Sequence, residues 1–178
     1  MILSDGEIWD ALEAGDIVIS APQDEQISVQ PSSVDLRLGP TLLVHSHNPI
    51  PGVTIDPAAV DVMDHLERYC EKVDISNGST YEIKPQSFVI GSTLERIEIP
   101  LDLAGRVEGK SSLARFGLAV HITAPKIDPG FKNPITLEMF NLGPFPLKLT
   151  YMMKICSLTF ERLGRTSKQG YEGQFQGQ

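Results

Sequence analysis

Apolar and polar residues alternate over short runs in this chain, and Pro, Gly or Asn interrupts most of them. Residues 17–19, 34–38 and 42–44 read as strands on that pattern. Phe88/Ile90, Ile97/Ile99, Ile135/Leu137/Met139 and Leu147/Leu149 continue the period of two. Asn77-Gly78 lies between Val73/Ile75 and Tyr81/Ile83, which predicts a hairpin. Most of the 13 prolines fall at the ends of these runs, where a missing amide does least harm. One segment has helical spacing. Ser4-Asp5-Gly6-Glu7 forms a capping box, Ile8, Trp9 and Leu12 make an apolar stripe, and Gly15 can end the helix. Pro57 could open a second short helix carrying Val60, Met63 and Leu66 on one side. Many short strands with frequent turns predict a mostly β sandwich or barrel. Residues 1–163 form a single domain on this reading, and 164–178, rich in Gly, Gln and Lys, a flexible tail.

Composition narrows the setting. The 178 residues suffice for one domain with its own core. No apolar run approaches the roughly 20 residues that span a bilayer, and no signal-peptide pattern opens the chain. Cys70 and Cys156 lie far apart, outside any CxxC pattern, and read as free thiols in a reducing cytoplasm. The net charge of −8 is uneven. Residues 1–105 hold 5 Lys/Arg against 18 Asp/Glu, which is −13; residues 106–178 hold 10 against 5, which is +5. An acidic protein is a poor binder of nucleic acid in general, whereas a small polyanion suits the basic half.

The candidate chemistry is concentrated in that half. Gly109-Lys110-Ser111-Ser112-Leu113-Ala114-Arg115-Phe116-Gly117 has room for one or two helical turns between its glycines. Ser111 and Arg115 would share a face at i and i+4. Free amides, two hydroxyls and two cations form an anion cradle. The segment serves equally well as a capped turn with Arg115 in a salt bridge. Asp128-Pro129-Gly130 is a turn, or a carboxylate placed for a sugar hydroxyl. Glu138 shares a strand face with Thr136 and Phe140 if Ile135, Leu137 and Met139 face the core. A carboxylate partly desolvated beside Phe140 suits general acid–base work; a solvent-facing Glu is the plainer alternative. His121 fits a core or rim position. His45-x-His47 could hold a metal from one strand face but lacks a nearby third ligand. No HxE or CxxC pair supports a zinc deaminase site, and neither GxxxxGK[ST] nor a GxGxxG after a strand is present.

Four segments stand in order along the chain: Gln30-Pro31-Ser32-Ser33-Val34-Asp35-Leu36-Arg37-Leu38-Gly39, Glu108 to Arg115, Ile127-Asp128-Pro129-Gly130-Phe131 and Thr136-Leu137-Glu138. Together, at matching spacing, they resemble the dCTP deaminase family of the trimeric dUTPase-like superfamily. The resemblance implies a distorted β-barrel or jelly-roll-like, dUTPase-like fold with an N-terminal helix and short helical turns. It implies a cytoplasmic homotrimer with active sites at subunit boundaries. It implies deamination of dCTP to dUTP and ammonia without catalytic zinc, with Mg2+ carried by the triphosphate. By position, Glu138 corresponds to the catalytic glutamate, and Ser111 and Arg115 to groups that place the water and stabilise charge. Lys110, Ser112 and the turn through Leu113 and Ala114 correspond to phosphate contacts. Asp128 corresponds to the sugar contact, Thr136 and Leu137 to base-reading positions, and Ala124 to the loop over the base. Tyr171, Gln174 and Gln178 correspond to tail contacts with the triphosphate. Lys110 stands where Arg is common, Pro125-Lys126 where single-activity members have His-Arg, and Gln174 where the tail has Lys. Ser157 stands where bifunctional members, which also cleave dUTP to dUMP, often carry Gln. A dUTPase, a bifunctional dCTP deaminase/dUTP diphosphatase and a non-catalytic, nucleotide-binding regulatory protein on the same fold are the alternative readings.

Overall fold

The computed structural model describes residues 1–20, 26–45 and 54–173. In chain order the elements are α1 (Asp5–Ala14), β1 (Val18–Ser20), β2 (Ser28–Gln30), β3 (Ser33–Arg37), β4 (Thr41–His45), α2 (Val62–Tyr69) and β5 (Cys70–Asp74). There follow β6 (Thr80–Ile83), β7 (Phe88–Glu98), β8 (Leu103–Gly109), α3 (Ser111–Ala114), β9 (Leu118–Ala119), β10 (Lys126–Ile127), β11 (Lys132–Asn141), β12 (Leu147–Thr150) and β13 (Lys154–Arg162).

The strands make two large sheets and a ribbon. One sheet runs β5-β4-β7-β11-β9, with β1 also on β7; the other runs β10-β8-β13-β3-β2; β12 pairs with β6 alone. Among the described residues the ladders do not run continuously around a closed barrel. Both sheets contribute to one buried cluster, Val89, Ile97, Leu137 and Met139 from the first, Leu36, Val107, Leu158 and Phe160 from the second. The alternation in sequence is therefore the signature of sheets with one face buried. Along β7 the buried face holds Val89, Gly91, Thr93, Glu95 and Ile97, so Phe88 and Ile90 lie on the other, half-buried face.

α1 forms as its capping box dictates. Glu7 N–H donates to the Ser4 hydroxyl at 3.4 Å, Ser4 N–H donates to the Glu7 carboxylate at 3.0 Å, and Gly15 ends the helix in the left-handed region. Ile8 is fully buried, but Trp9 is 46% exposed, so the apolar stripe is narrower than its sequence spacing predicts. The second helix starts at Asp61 rather than Pro57, because the Asp61 carboxylate accepts from the Met63 and Asp64 amides. Val60 precedes it, and Met63 is exposed.

The hairpin predicted around Asn77-Gly78 does not form. A turn is present, with Gly78 at φ 76°. However, β5 pairs with β4 and β6 with β12, so the chain changes sheets there. Fully buried Ile75 is held at that crossing by its amide's bond to the Pro40 carbonyl, 2.8 Å. The turn signal is overridden by longer-range pairing, the five-residue ladder of β5 with β4 and the four-residue ladder of β6 with β12.

Candidate active site

β11 carries the central feature. Its burial alternates as its sequence predicts: Ile135, Leu137 and Met139 face the core, and Thr136, Glu138 and Phe140 face the other way. The ladder to β7 shifts register between Pro134 and Thr136, a bulge that bends the strand. Thr93 satisfies the amide at that bend: its hydroxyl accepts from Ile135 N–H at 2.9 Å and donates to the Glu95 carbonyl at 2.8 Å. On its other side β11 is paired, among the described residues, only at Phe140 and Asn141, by β9. The stretch through Thr136 and Glu138 therefore presents a free strand edge.

A cleft of about 460 Å³ opens against this edge. Thr136 and Glu138 line one side, and Ala124, Lys126 and Asp128 another; Phe131 and Tyr171 close it with aromatic surface. Asp128 precedes a turn that needs Gly130, whose φ is 78° and whose Cβ, if present, would fall 2.8 Å from Gly170 Cα. That close approach lets the tail cross the turn. Tyr171 N–H donates to the Pro129 carbonyl at 2.8 Å, and the Tyr171 and Phe131 rings lie 5.6 Å apart, tilted by 58°. Upstream, Ser167 N–H is tied to the Leu101 carbonyl at 2.8 Å. The segment expected to be a free tail from Gly164 is thus fastened as far as Tyr171, while Gln174 and Gln178 lie outside the described residues, as does His47.

Sequence reasoning marked Lys126 only as a departure from the family's pattern, not as a site residue. Its Nζ lies 2.6 Å from Asp128 Oδ1, within the cleft wall. The i, i+2 spacing on an extended segment was the signal available for it. Ser92 and Asn133, also on the cleft wall, carry no such signal, because only the pairing of β7 with β11 brings them there. Leu137 is fully buried towards the core, so its side chain is withdrawn from any ligand and only its peptide groups remain available.

The loop at 109–117 folds as a short turn, α3, but does not line this cleft within one chain. Ser111, Ser112, Ala114 and Arg115 are exposed, and Leu113 packs on the core. The Ser111 and Ser112 amides open the turn and have no carbonyl of their own helix to bond. The salt bridge considered for Arg115 is absent among the described residues. Lys110 instead pairs with Asp35, at 2.5 Å. Gly117, at φ 95°, ends the segment against Gly143; a Cβ there would fall 2.3 Å from the Gly143 nitrogen. Its carbonyl accepts from Leu142 N–H at 2.8 Å, which ties the loop to the end of β11. Phe116, Leu142 and Phe145 leave 66%, 65% and 73% of their surface exposed around this contact.

Other titratable groups sit apart. His45 pairs with His65 across Nε2 atoms 3.3 Å apart. Cys156 is buried and its thiol is pushed up to about 12, mainly by that burial, which leaves it protonated and unreactive. No group of three or more His, Cys, Asp or Glu among the described residues is arranged to hold a metal ion.

The strand arrangement is that of a dUTPase-like fold. The EIAV dUTPase superposes with a TM-score of 0.53 at 19% identity, over 89% of this chain and 98% of that one. The 2'-deoxycytidine 5'-triphosphate deaminase of Agrobacterium tumefaciens superposes with a TM-score of 0.70 at 24% identity, over 91% of this chain and 48% of that longer one. A family model described as dCTP deaminase-like matches residues 2–163, and the chain belongs to that family. Its relatives include the dCTP deaminase of Haloarcula marismortui, 44% identical over 96% of this chain and 85% of the relative. The dCTP deaminase, dUMP-forming, of Dictyoglomus thermophilum is 41% identical over 96% and 85%.

Proposed function

We propose that this protein catalyses hydrolytic deamination of dCTP to dUTP and ammonia. The observation that carries this reading is a half-buried carboxylate, Glu138, on the free edge of β11, facing a cleft that also holds Thr136 and Asp128. A strand edge offers alternating donors and acceptors to a planar base, as it does to a peptide. Glu138 takes a proton from water as its oxygen adds to C4 of the cytosine and passes that proton to N3. Glu138 then takes the proton of the new C4 hydroxyl and gives it to the exocyclic nitrogen; the C4–N bond breaks and ammonia leaves as the carbonyl forms, with N3 keeping its proton. Asp128, oriented by Lys126, accepts from a sugar hydroxyl. The 2'-deoxynucleotide carries its Mg2+ with the triphosphate, as part of the substrate, and no zinc takes part.

Ser111 and Arg115 complete the site from a neighbouring copy in a homotrimer, placing the water and stabilising charge at C4. Two observations support this. Both residues are exposed and lie outside the Glu138 cleft of their own chain. Phe116, Leu142 and Phe145 form an exposed apolar surface beside them, of the kind that subunit contacts cover. Both cysteines are free, which accords with the cytoplasm.

A dUMP-forming activity is the second reading, because relatives bearing that name and relatives without it share 41% identity with this chain. Assay with Mg2+ separates the readings. Ammonia and dUTP from dCTP support a single deamination, and ammonia, dUMP and pyrophosphate support the bifunctional enzyme. Pyrophosphate from dUTP with no ammonia from dCTP would indicate a dUTPase. Saturable binding of both without turnover would indicate a regulatory protein.

A further inference from the structure

Away from the Glu138 cleft, a buried carboxylate with two lysine partners lies beneath the start of α3. Asp35, in the middle of β3, is only 7% exposed. Its Oδ1 lies 2.5 Å from Lys110 Nζ and its Oδ2 3.3 Å from Lys154 Nζ. Lys154 also donates to the Ser28 hydroxyl at 2.8 Å. Glu108, Ser157, Asp35 and Ser28 are direct neighbours across β8, β13, β3 and β2. The carboxylate thus sits in the interior of the second sheet, where an unpaired charge would be strongly disfavoured. Lys110 follows the last residue of β8 and Lys154 is the first of β13; because these strands are antiparallel, both lysines reach the carboxylate from the same end of the pair.

Lys110 is also the residue on which α3 is built. Its backbone is extended, at φ −83° and ψ 126°, and its carbonyl accepts from both Leu113 and Ala114 N–H at 2.9 Å. Its side chain gives the turn no cap. A Ser or Asp here would cap the turn by accepting from its first amides. Lysine cannot accept, so those amides stay open and the turn must be held another way. The other way is the Lys110 side chain, which reaches down to Asp35. The ammonium is therefore engaged inside the fold rather than presented outward with the Ser111 and Ser112 hydroxyls.

We infer that Asp35 is a positioning residue: through Lys110 it fixes the start of the Ser111–Ala114 turn, and with it the placement of Ser111 and Arg115 that the proposed site uses. The functional consequence rests on the proposed deaminase reading; the anchoring does not. Preorganised groups gain from such fixing because a displacement of about 1 Å can cost on the order of a hundredfold in rate.

The test compares Asp35→Asn, Lys110→Met, the double variant and Lys154→Met in the full-length protein, by hydrogen exchange and by dCTP kinetics. Asp35→Asn and Lys110→Met should each speed exchange at the Leu113 and Ala114 amides by about tenfold or more. Each should lower kcat/KM for dCTP by about tenfold or more, and the double variant should lose no more than the worse single one, since both act through one contact. Lys154→Met, which leaves the Lys110–Asp35 pair in place, should change both readouts by less than about threefold. Unchanged exchange in Asp35→Asn, or multiplicative losses in the double variant, would overturn the inference. If Lys110 bound phosphate directly, Asp35→Asn would free it and tighten dCTP binding while Lys110→Met weakened it, which also overturns the inference. Should Asp35→Asn fail to fold, Lys110→Met carries the exchange test, because Lys154 still neutralises Asp35. Should the wild-type protein not turn over dCTP, the deaminase reading fails and exchange alone decides the anchoring.

Discussion

Asp128 and Glu138 face one cleft from two different sheets: Glu138 stands on β11 of the first, and Asp128 directly follows β10, the edge strand of the second. The cleft is therefore a seam between sheets, and Tyr171 seals it by bonding to the turn after Asp128. The core between the sheets thus holds the two carboxylates, the proposed sugar contact and the proposed proton carrier, at a fixed separation.

Replacement of Glu138 by Gln preserves shape and hydrogen bonding but removes the proton acceptor. Ammonia release from dCTP should fall by at least about a hundredfold. Nucleotide binding, followed by calorimetry, should remain within a few-fold of wild type. Full turnover by this variant would refute the role of Glu138.

If the site is shared between copies, two inactive variants can complement each other. Arg115→Ala and Glu138→Gln should each be inactive as homotrimers. In randomly mixed trimers at equal amounts, about a quarter of the sites join an intact Arg115 to an intact Glu138, so about a quarter of wild-type activity should return. Mixtures as inactive as their components would show that both residues act within one chain.

The contact between Gly117 and Gly143 leaves no room for a side chain. Gly117→Ala would add a Cβ 2.3 Å from a backbone nitrogen in a residue already at φ 95°. A stability loss of about 1–3 kcal/mol is expected from the strained backbone alone. For a domain of this size that is a fall in Tm of roughly 2–4 °C per kcal/mol, readable by calorimetry. Gly6→Ala, on α1 with nothing within 4 Å of its added Cβ, is the control and should not lower Tm.

His45 supplies a pH dependence. Burial holds it below its ordinary value of 6.5, with a further push from His65. Cys70, opposite it on β5, and Tyr69, stacked on His65, are the other titratable neighbours. Among the described residues no carboxylate pairs with either imidazole. The unfolded chain takes up the His45 proton as the pH drops through about 6.5, while the folded chain resists it. Stability is thus undiminished above 6.5 and declines as the pH falls below it. His45→Phe should flatten that acid-side decline in Tm; an unchanged slope between pH 7 and 5 would exclude His45 as its source.

Some of this was legible in the sequence because it is local. A capping box joins residues three apart, and it placed α1 at Ser4. A period of two is a property of a single strand, and it set Glu138 and Thr136 opposite Leu137 and Met139 before any partner strand was known. The spacing of four short segments also pointed to the family.

Pairing and burial depend on residues far apart in the chain, and only the tertiary structure decided them. It sent the strands flanking Asn77-Gly78 to different partners distant in sequence, β4 and β12, set by the sheets rather than by the turn. It drew Asp35 and Glu95 inside, where Lys110 and Arg37 neutralise them, although neither carboxylate is marked as buried by its own neighbours in sequence. It fastened Tyr171 to the Asp128 turn and left Arg115 outside the cleft that holds Glu138. A sequence states which faces of a strand prefer apolar surroundings; which other segment provides them is settled by the packing of the whole chain.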